Sequence, residues 1–225
     1  MARRLDALAA PRRGATVVRV MVTGASRGIG LAFAREAAAA DAHVIAVARR
    51  ASEGMREAAD EVVEADVRHL PARPVDVLAH CAVFSPDTPL LSLDAGDLLQ
   101  ALEVNVVAAA RLAEEVRERV ILFGSLYAHG ASGNAGYAIS KGALNGLADD
   151  LARGGVRVHV IVPGLVSTQL TEALPGDVRR QLVDDCPLRR AGDAKEIARA
   201  GWFAATGGLG SRHLRVTGGL REAAG

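Results

Sequence analysis

Rings are scarce in this chain. Phe, Trp and Tyr make up 3% of its 225 residues, so the hydrophobic half rests on alanine, valine, leucine and glycine. An excess of one charge is missing too. Lysine and arginine number 27 against 26 aspartates and glutamates, a formal net charge of +1, which gives no bias toward a polyanion or nucleic acid. No apolar run reaches bilayer-crossing length, which argues against a membrane partner. Cysteine is limited to Cys81 and Cys186, without metal-ligand spacing. The first residues are basic but carry Asp6 and no long apolar core, so they read as a polar extension rather than an export signal. The two thiols are therefore expected to be free in a reducing, cytoplasmic setting. The six histidines stand singly, which leaves a metal site without support. There is no internal repeat, linker or break in composition. The chain reads as one domain over residues 16–225 behind an extension of residues 1–15.

What is present is an alternation. Thr16–Val22 is a short apolar run rich in β-branched residues, which predicts a buried strand. It leads straight into Thr23-Gly-Ala-Ser-Arg-Gly-Ile-Gly30, and strong helix formers follow over Leu31–Ala40. Strand, glycine-rich turn and helix in that order form the phosphate-cradling unit of a doubly wound sheet. Glycines let backbone approach a pyrophosphate, and the free N–H groups at the helix start face the anion. His43–Ala48 predicts a second strand, ending in Arg49-Arg50. An acidic residue there would accept from a ribose 2′-hydroxyl, whereas arginine pairs a 2′-phosphate. Arg49, with Arg27 in the glycine loop, therefore favours NADPH/NADP over NAD.

A short helix within 52–61 and a strand over Glu61–Ala65 come next. Pro71 and Pro74 then leave no room for a full crossover helix before a strand at Val75–Ala79. One helix is expected over Leu98–Val116, a strand over Val120–Phe123, a helix from near Tyr137 to about Leu151, and a strand over Val156–Val162. Such alternation predicts an α/β fold: a single-domain, Rossmann-like, doubly wound parallel sheet with helices on both faces.

Tyr137 and Lys141 stand four apart, one turn along the same helix face. A phenol's ordinary pKa is about 10, and a cation one turn away favours the phenolate. The pair is a candidate general acid/base. Alone the spacing is weak, since any amphipathic helix can set a half-buried tyrosine beside a solvated lysine. Over Thr16–Leu220, however, several motifs in order resemble the short-chain dehydrogenase/reductase family, in a shortened form. Thr23–Gly30 resembles the family's cofactor loop, with Gly24, Ser26, Arg27, Gly28, Ile29 and Gly30 on the cofactor. Asp66 and Val67 resemble the pair that holds the adenine, and Asn105, Ser125, Tyr137 and Lys141 match the catalytic tetrad. Pro163-Gly164, with Val166 and Thr168 behind it, resembles the segment that holds the nicotinamide carboxamide and the phosphates. Cys186–Ala198 resembles the stretch after the substrate-covering helix, and Val216–Gly219 the last strand and turn.

There are departures. His80-Cys81-Ala82-Val83 stands where the family has Asn-Asn-Ala-Gly, whose glycine permits close approach to the cofactor; Cys81 and Ala82 keep cofactor-facing positions in that alignment. His80 reads either as a satisfied structural histidine or as a functional stand-in for asparagine. The Ser125-to-Tyr137 interval is one residue short, the Asn105 helix has fewer residues before the next strand, and Thr217 replaces the usual aspartate.

The resemblance implies an NADPH-dependent, ketoreductase-like oxidoreductase that interconverts a ketone or aldehyde with an alcohol. Tyr137 would exchange the proton, and Ser125 would orient the substrate oxygen. Lys141 would lower the Tyr137 pKa and hold the nicotinamide ribose, and Asn105 would help hold a proton-relaying water. Asn105, Tyr137 and Lys141 thus also count as cofactor contacts. One alternative is a non-redox NADP-binding sensor or scaffold, which the His80–Val83 departure favours and the intact tetrad opposes. Another is an NADP-using lyase or epimerase, although the chain has no room for the larger C-terminal domain such enzymes usually carry. The segment between Leu165 and Arg190, including Ser167, Gln169, Leu170, Leu174, Pro175 and Leu182, is expected to cover a small-molecule substrate. Leu126, Tyr127 and His129 are candidates for its pocket. The small residues Gly142, Ala143, Gly146 and Ala148 would let helices approach in a homodimer or homotetramer.

Overall fold

Alternate residues along the inner strands point into two separate cores, one on each face of a single sheet. Val20 and Val22 enter one core and Met21 the other; Val44 and Ala46 likewise oppose Ile45 and Val47. These positions come from a computed structural model, which describes residues 17–220 apart from 87, 130–132, 173 and 208–209. The expected extension of residues 1–15 lies outside the described residues.

The strands are β1 (Arg19–Thr23), β2 (His43–Ala48), β3 (Glu61–Glu64), β4 (Val75–His80), β5 (Val116–Phe123), β6 (Arg157–Pro163) and β7 (His213–Val216). The helices are α1 (Gly28–Ala38), α2 (Glu53–Ala58), α3 (Ala95–Leu102), α4 (Ala108–Ala113), α5 (Ala135–Arg153), α6 (Gln169–Glu172), α7 (Gly176–Asp185) and α8 (Ala194–Thr206). All strand pairs are parallel, in the order β3-β2-β1-β4-β5-β6-β7. Helices α1, α2 and α8 cover the first face through Phe33, Met55 and Ile197. Phe33 meets Phe123 and Trp202 edge-on at 6.2 and 5.9 Å, so three of the few rings are spent at one point. Helices α4 and α5 cover the second face with Leu112, Leu144 and Ala148. This is the doubly wound, Rossmann-like sheet that the alternation predicts. The strand order reverses between β1 and β4, and a crevice opens at such a reversal beyond the strands' C-terminal ends.

Several boundaries differ from expectation, two of them with a local cause. The glycine loop enters α1 already at Gly28. The single helix expected over Leu98–Val116 starts earlier, at Ala95, where the Asp94 carboxylate accepts from Gly96 N–H at 2.9 Å. It then passes through a π-helical turn at Glu103–Val107 and ends at Ala113. Val116 belongs to β5, because it pairs with Val75 ahead of a register shift at Val75/Val77. The β3–β4 connection carries no helix, as its two prolines predict. On α5, Ala148 is fully buried and a Cβ at Gly142 would lie 2.8 Å from the Ala128 carbonyl oxygen. Those two small residues serve internal packing rather than an outer surface. Among the described residues no helix is long and apolar enough to cross a membrane, and no group of His, Cys, Asp and Glu could hold a metal ion. Cys81 and Cys186 are both free.

Candidate active site

The crevice is a cavity of about 650 Å³, with the glycine loop along one side. Gly24 has φ of 65°, and a Cβ on it would lie 2.7 Å from the Ala82 backbone nitrogen. A Cβ at Gly30 would lie 2.3 Å from the Gly24 carbonyl oxygen. The loop after β1 and the loop after β4 thus pack backbone against backbone, which only glycine permits. Arg27 stands at the N-cap of α1 without a side-chain cap bond. The first-turn N–H groups at Gly28, Ile29 and Gly30 are left for an anion in the cavity. Arg49 lines the cavity where β2 ends, and Arg50 does not. Asp66 is the one acidic residue on its wall among the described residues. Its carboxylate is already engaged: Arg68 donates to it from Nη2 at 2.8 Å, from Nε at 3.1 Å and from the backbone at 2.9 Å. The guanidinium holds the carboxyl down at about 2. A cradle of glycines, open helix N–H groups and an unopposed Arg49 fits a dinucleotide with phosphate at its adenosine end.

The departure at His80 is resolved by hydrogen bonds. His80 is 3% exposed, and its Nε2 lies 3.0 Å from the Val104 carbonyl, which can only accept. Nε2 therefore carries the proton, and Nδ1 accepts from the Thr23 hydroxyl at 3.0 Å. The Thr23 oxygen in turn accepts from Ala82 N–H at 3.1 Å. Burial brings the imidazole pKa down to about 4, with Lys141 adding a smaller push. His80 is neutral and satisfied, and it ties β1, β4 and the π-helical turn together behind the cavity. Val83 causes no strain, because positive φ among described non-glycine residues is confined to Asp41 and Arg189. Its side chain, 41% exposed, simply joins the cavity wall.

The opposite rim comes from the segment after β6. Thr168 lines the cavity, as do Ser167, Gln169 and Leu170. The last three, expected over a substrate, stand on the wall of this cavity. Arg27 donates to the Gln169 side chain across the mouth. Pro163, Gly164 and Val166 do not line the cavity. Gly164 packs on Thr217, where a Cβ would lie 2.8 Å from the carbonyl oxygen, and buried Val166 bridges to Gly192. They brace the rim from behind. Sequence reasoning also missed Ala48 and Ala65, which only needed the strand-end rule applied one residue more widely. It missed Phe84, Ser85, Gln100 and Val104 for lack of any motif.

Ser125, Tyr137, Lys141 and Asn105 form one connected assembly next to this cavity, although none of them lines it. Ser125 follows β5, and Tyr137 lies in the first turn of α5, whose N-cap Asn134 accepts from Tyr137 N–H at 3.3 Å. Tyr137 is half-buried, and desolvation raises its pKa, while the Ser125 hydroxyl pulls the other way. Lys141 is held by backbone beside the Tyr137 ring. Its Nζ donates to the Phe123 carbonyl at 2.7 Å and lies 5.5 Å from the Tyr137 ring centroid. Burial brings the Lys141 pKa down to about 8. Cys81, on the cavity wall, has its pKa raised by burial and is coupled to the Lys141 charge. Asn105, 1% exposed, makes three side-chain hydrogen bonds. It accepts from Phe84 N–H at 2.8 Å and donates to Phe84 O at 2.9 Å and to Ser140 Oγ at 2.8 Å. Ser140 passes the link to the Tyr137 carbonyl at 2.8 Å. The side chain of His129 lies outside the described residues, and Leu126 and Tyr127 sit in the 3₁₀ turn after Ser125.

A family model described as Enoyl-(Acyl carrier protein) reductase matches residues 24–209. The 3-oxoacyl-[acyl-carrier-protein] reductase FabG of Escherichia coli K12 is 33% identical over 218 residues, covering 83% of this chain and 88% of FabG. The chain belongs to the short-chain dehydrogenase/reductase family. It is therefore an oxidoreductase of that family. MabA of Mycobacterium tuberculosis H37Rv, also a 3-oxoacyl-[acyl-carrier-protein] reductase, is 31% identical over 80% of this chain and 81% of MabA. Among solved structures, the TT0495 protein of Thermus thermophilus superposes with a TM-score of 0.81 at 25% identity, covering 91% of this chain and 99% of its own. A Beutenbergia cavernae protein provisionally described as an NAD(P)-dependent gluconate 5-dehydrogenase has NADP bound at low occupancy. It superposes at 0.76 with 30% identity, over 90% of this chain and 96% of its own.

Proposed function

We propose that the protein is an NADPH-dependent carbonyl reductase with Tyr137 as its proton donor. The observation that carries this reading is the connected Ser125–Tyr137–Lys141 assembly beside a cavity whose adenosine end carries Arg49. NADPH, when bound, supplies the hydride. The Tyr137 pKa is raised above the ordinary phenol value, so the phenol is protonated near neutral pH, the state that reduction uses, and its hydroxyl protonates the oxygen of the reduced carbonyl. Ser125, whose hydroxyl acts on that phenol, orients the same oxygen. Lys141, with a pKa of about 8, carries its charge at neutral pH and offsets the phenolate left behind. Asn105 is a positioning residue that locks the loop after β4 to α5. The His80–Val83 stretch, which would favour a non-redox NADP sensor if it were damaged, is satisfied and unstrained, and that supports turnover. Relatives named for 3-oxoacyl carrier-protein substrates make a 3-ketoacyl thioester the first carbonyl compound to offer, beside small ketones and aldehydes. We also propose a homodimer or homotetramer, supported by an outward stripe on α5 formed by Ile139, Ala143 and Gly146.

The test is a carbonyl panel read by NADPH absorbance, paired with cofactor binding by calorimetry. Tyr137→Phe is expected to lower turnover by about a hundredfold or more while leaving the NADPH Kd nearly unchanged; retained turnover removes Tyr137 as the acid. Arg49→Ala is expected to weaken NADPH by about tenfold and to leave NADH within about twofold. Tighter wild-type binding of NADH than of NADPH would overturn the cofactor assignment.

A further inference from the structure

The β3–β4 loop has no helix to stiffen it, yet Asp66 and Val67 at its start form part of the cavity wall. A wall made of bare loop would cost ordering entropy each time a ligand used it. Here the stiffness comes from α4 across the second face of the sheet. Arg111 donates from Nη2 to the Val67 carbonyl at 2.6 Å and from Nη1 to the Arg68 carbonyl at 2.7 Å. Two adjacent carbonyls match the planar fork of one guanidinium, which a lysine ammonium cannot reproduce. Arg68 then grips Asp66 and comes within 3.7 Å of Glu103 on the π-helical turn. Val67 and Leu70 are each 6% exposed and pack into the second core. Arg111 itself lines no part of the cavity, and its Nε is buried without a partner among the described residues. Both of its hydrogen bonds among the described residues go to the loop.

We infer that Arg111 is a positioning residue for the adenosine half of the cofactor, doing from α4 what a crossover helix would do within the loop. This rests on the NADP reading above. Arg111→Met removes the fork; Arg111→Lys keeps the stem and charge and reaches one carbonyl at most. Calorimetry with NADPH and with adenosine 2′,5′-bisphosphate is expected to show both ligands weakened by the same factor, about tenfold for methionine and less for lysine. Amide exchange is expected to quicken over 66–70 and to stay unchanged in α5. Unaltered affinities, a loss for NADPH much larger than for the bisphosphate, or faster exchange throughout the domain would each overturn the inference. So would failure of both variants to fold, since Arg111 would then hold the whole domain. If wild-type protein binds neither ligand, the NADP reading fails first and takes this inference with it; binding by wild type with indifferent variants removes the Arg111 role alone.

Discussion

His80 keeps its place by staying neutral, and this makes it a pH-dependent strut. Its ordinary pKa is 6.5, and burial brings the folded value to about 4. Between those values the unfolded chain binds a proton that the folded chain refuses. Stability therefore falls as pH drops from about 6.5 to about 4 and is level above that window. The gap corresponds to about 3 kcal/mol. His80→Asn should flatten this dependence, because an amide can donate to the Val104 carbonyl and accept from Thr23 without titrating. Urea midpoints at pH 7, 5.5 and 4.5 check it, and a variant as acid-sensitive as wild type would show that another group controls the window. At this scale the sequence was half legible. Residue types pointed to Asn105, Ser125, Tyr137 and Lys141 as candidates, and the satisfied reading of His80 was among those open. Hidden were the backbone acceptors: the Phe123 carbonyl that takes Lys141, and the Phe84 peptide that occupies Asn105. Side-chain spacing carries no information about which carbonyl a long side chain will reach.

The elements were legible where one period governed them. His43–Ala48 runs in the structure as its apolar run predicts, and both prolines removed the crossover helix. The Leu98–Val116 stretch was not, because an apolar pattern continues through a π-helical turn and into a strand without changing residue types. The π turn buries Asn105 at 1% exposure, so the irregularity positions a candidate site residue. The loop pair below the cavity allows a contrast between two glycines. Gly24→Ala forces a side chain into positive φ and to 2.7 Å from the Ala82 nitrogen. It should cost about 2 kcal/mol or more and weaken NADPH binding. Gly146→Ala, where a Cβ meets nothing of its own chain within 4 Å inside a 19-residue helix, should instead stabilise by roughly 0.5–1 kcal/mol when melted at a concentration where the chain is monomeric. Thermal melts of the two variants beside wild type read both signs, and two changes of the same sign would remove the loop-contact explanation for Gly24.

For the whole molecule, two cores on one sheet leave α5 with an inner and an outer side. Leu144 and Ala148 turn inward, while Ile139, Ala143 and Gly146 recur at helical spacing along the other side, Ile139 at 43% exposure and Gly146 open. Val107 on the adjoining π-helical turn is 54% exposed. Small residues let backbones approach, so a partner helix can bury Ile139 at short range. Composition alone named four small residues for that surface, and the fold keeps only two of them outside, because spacing without a sheet does not say which face is inward. Wild-type protein is expected to run as a dimer or tetramer by light scattering. Gly146→Glu should shift it to monomer, with the apparent dissociation constant raised by about a hundredfold, since a desolvated charge would face the partner. The change lies on an exposed helix position where a surface substitution costs the single chain little, so a loss of mass with an intact melt reports on the interface. A monomeric wild type, or a Gly146→Glu protein that stays assembled, would move the contact elsewhere or remove it.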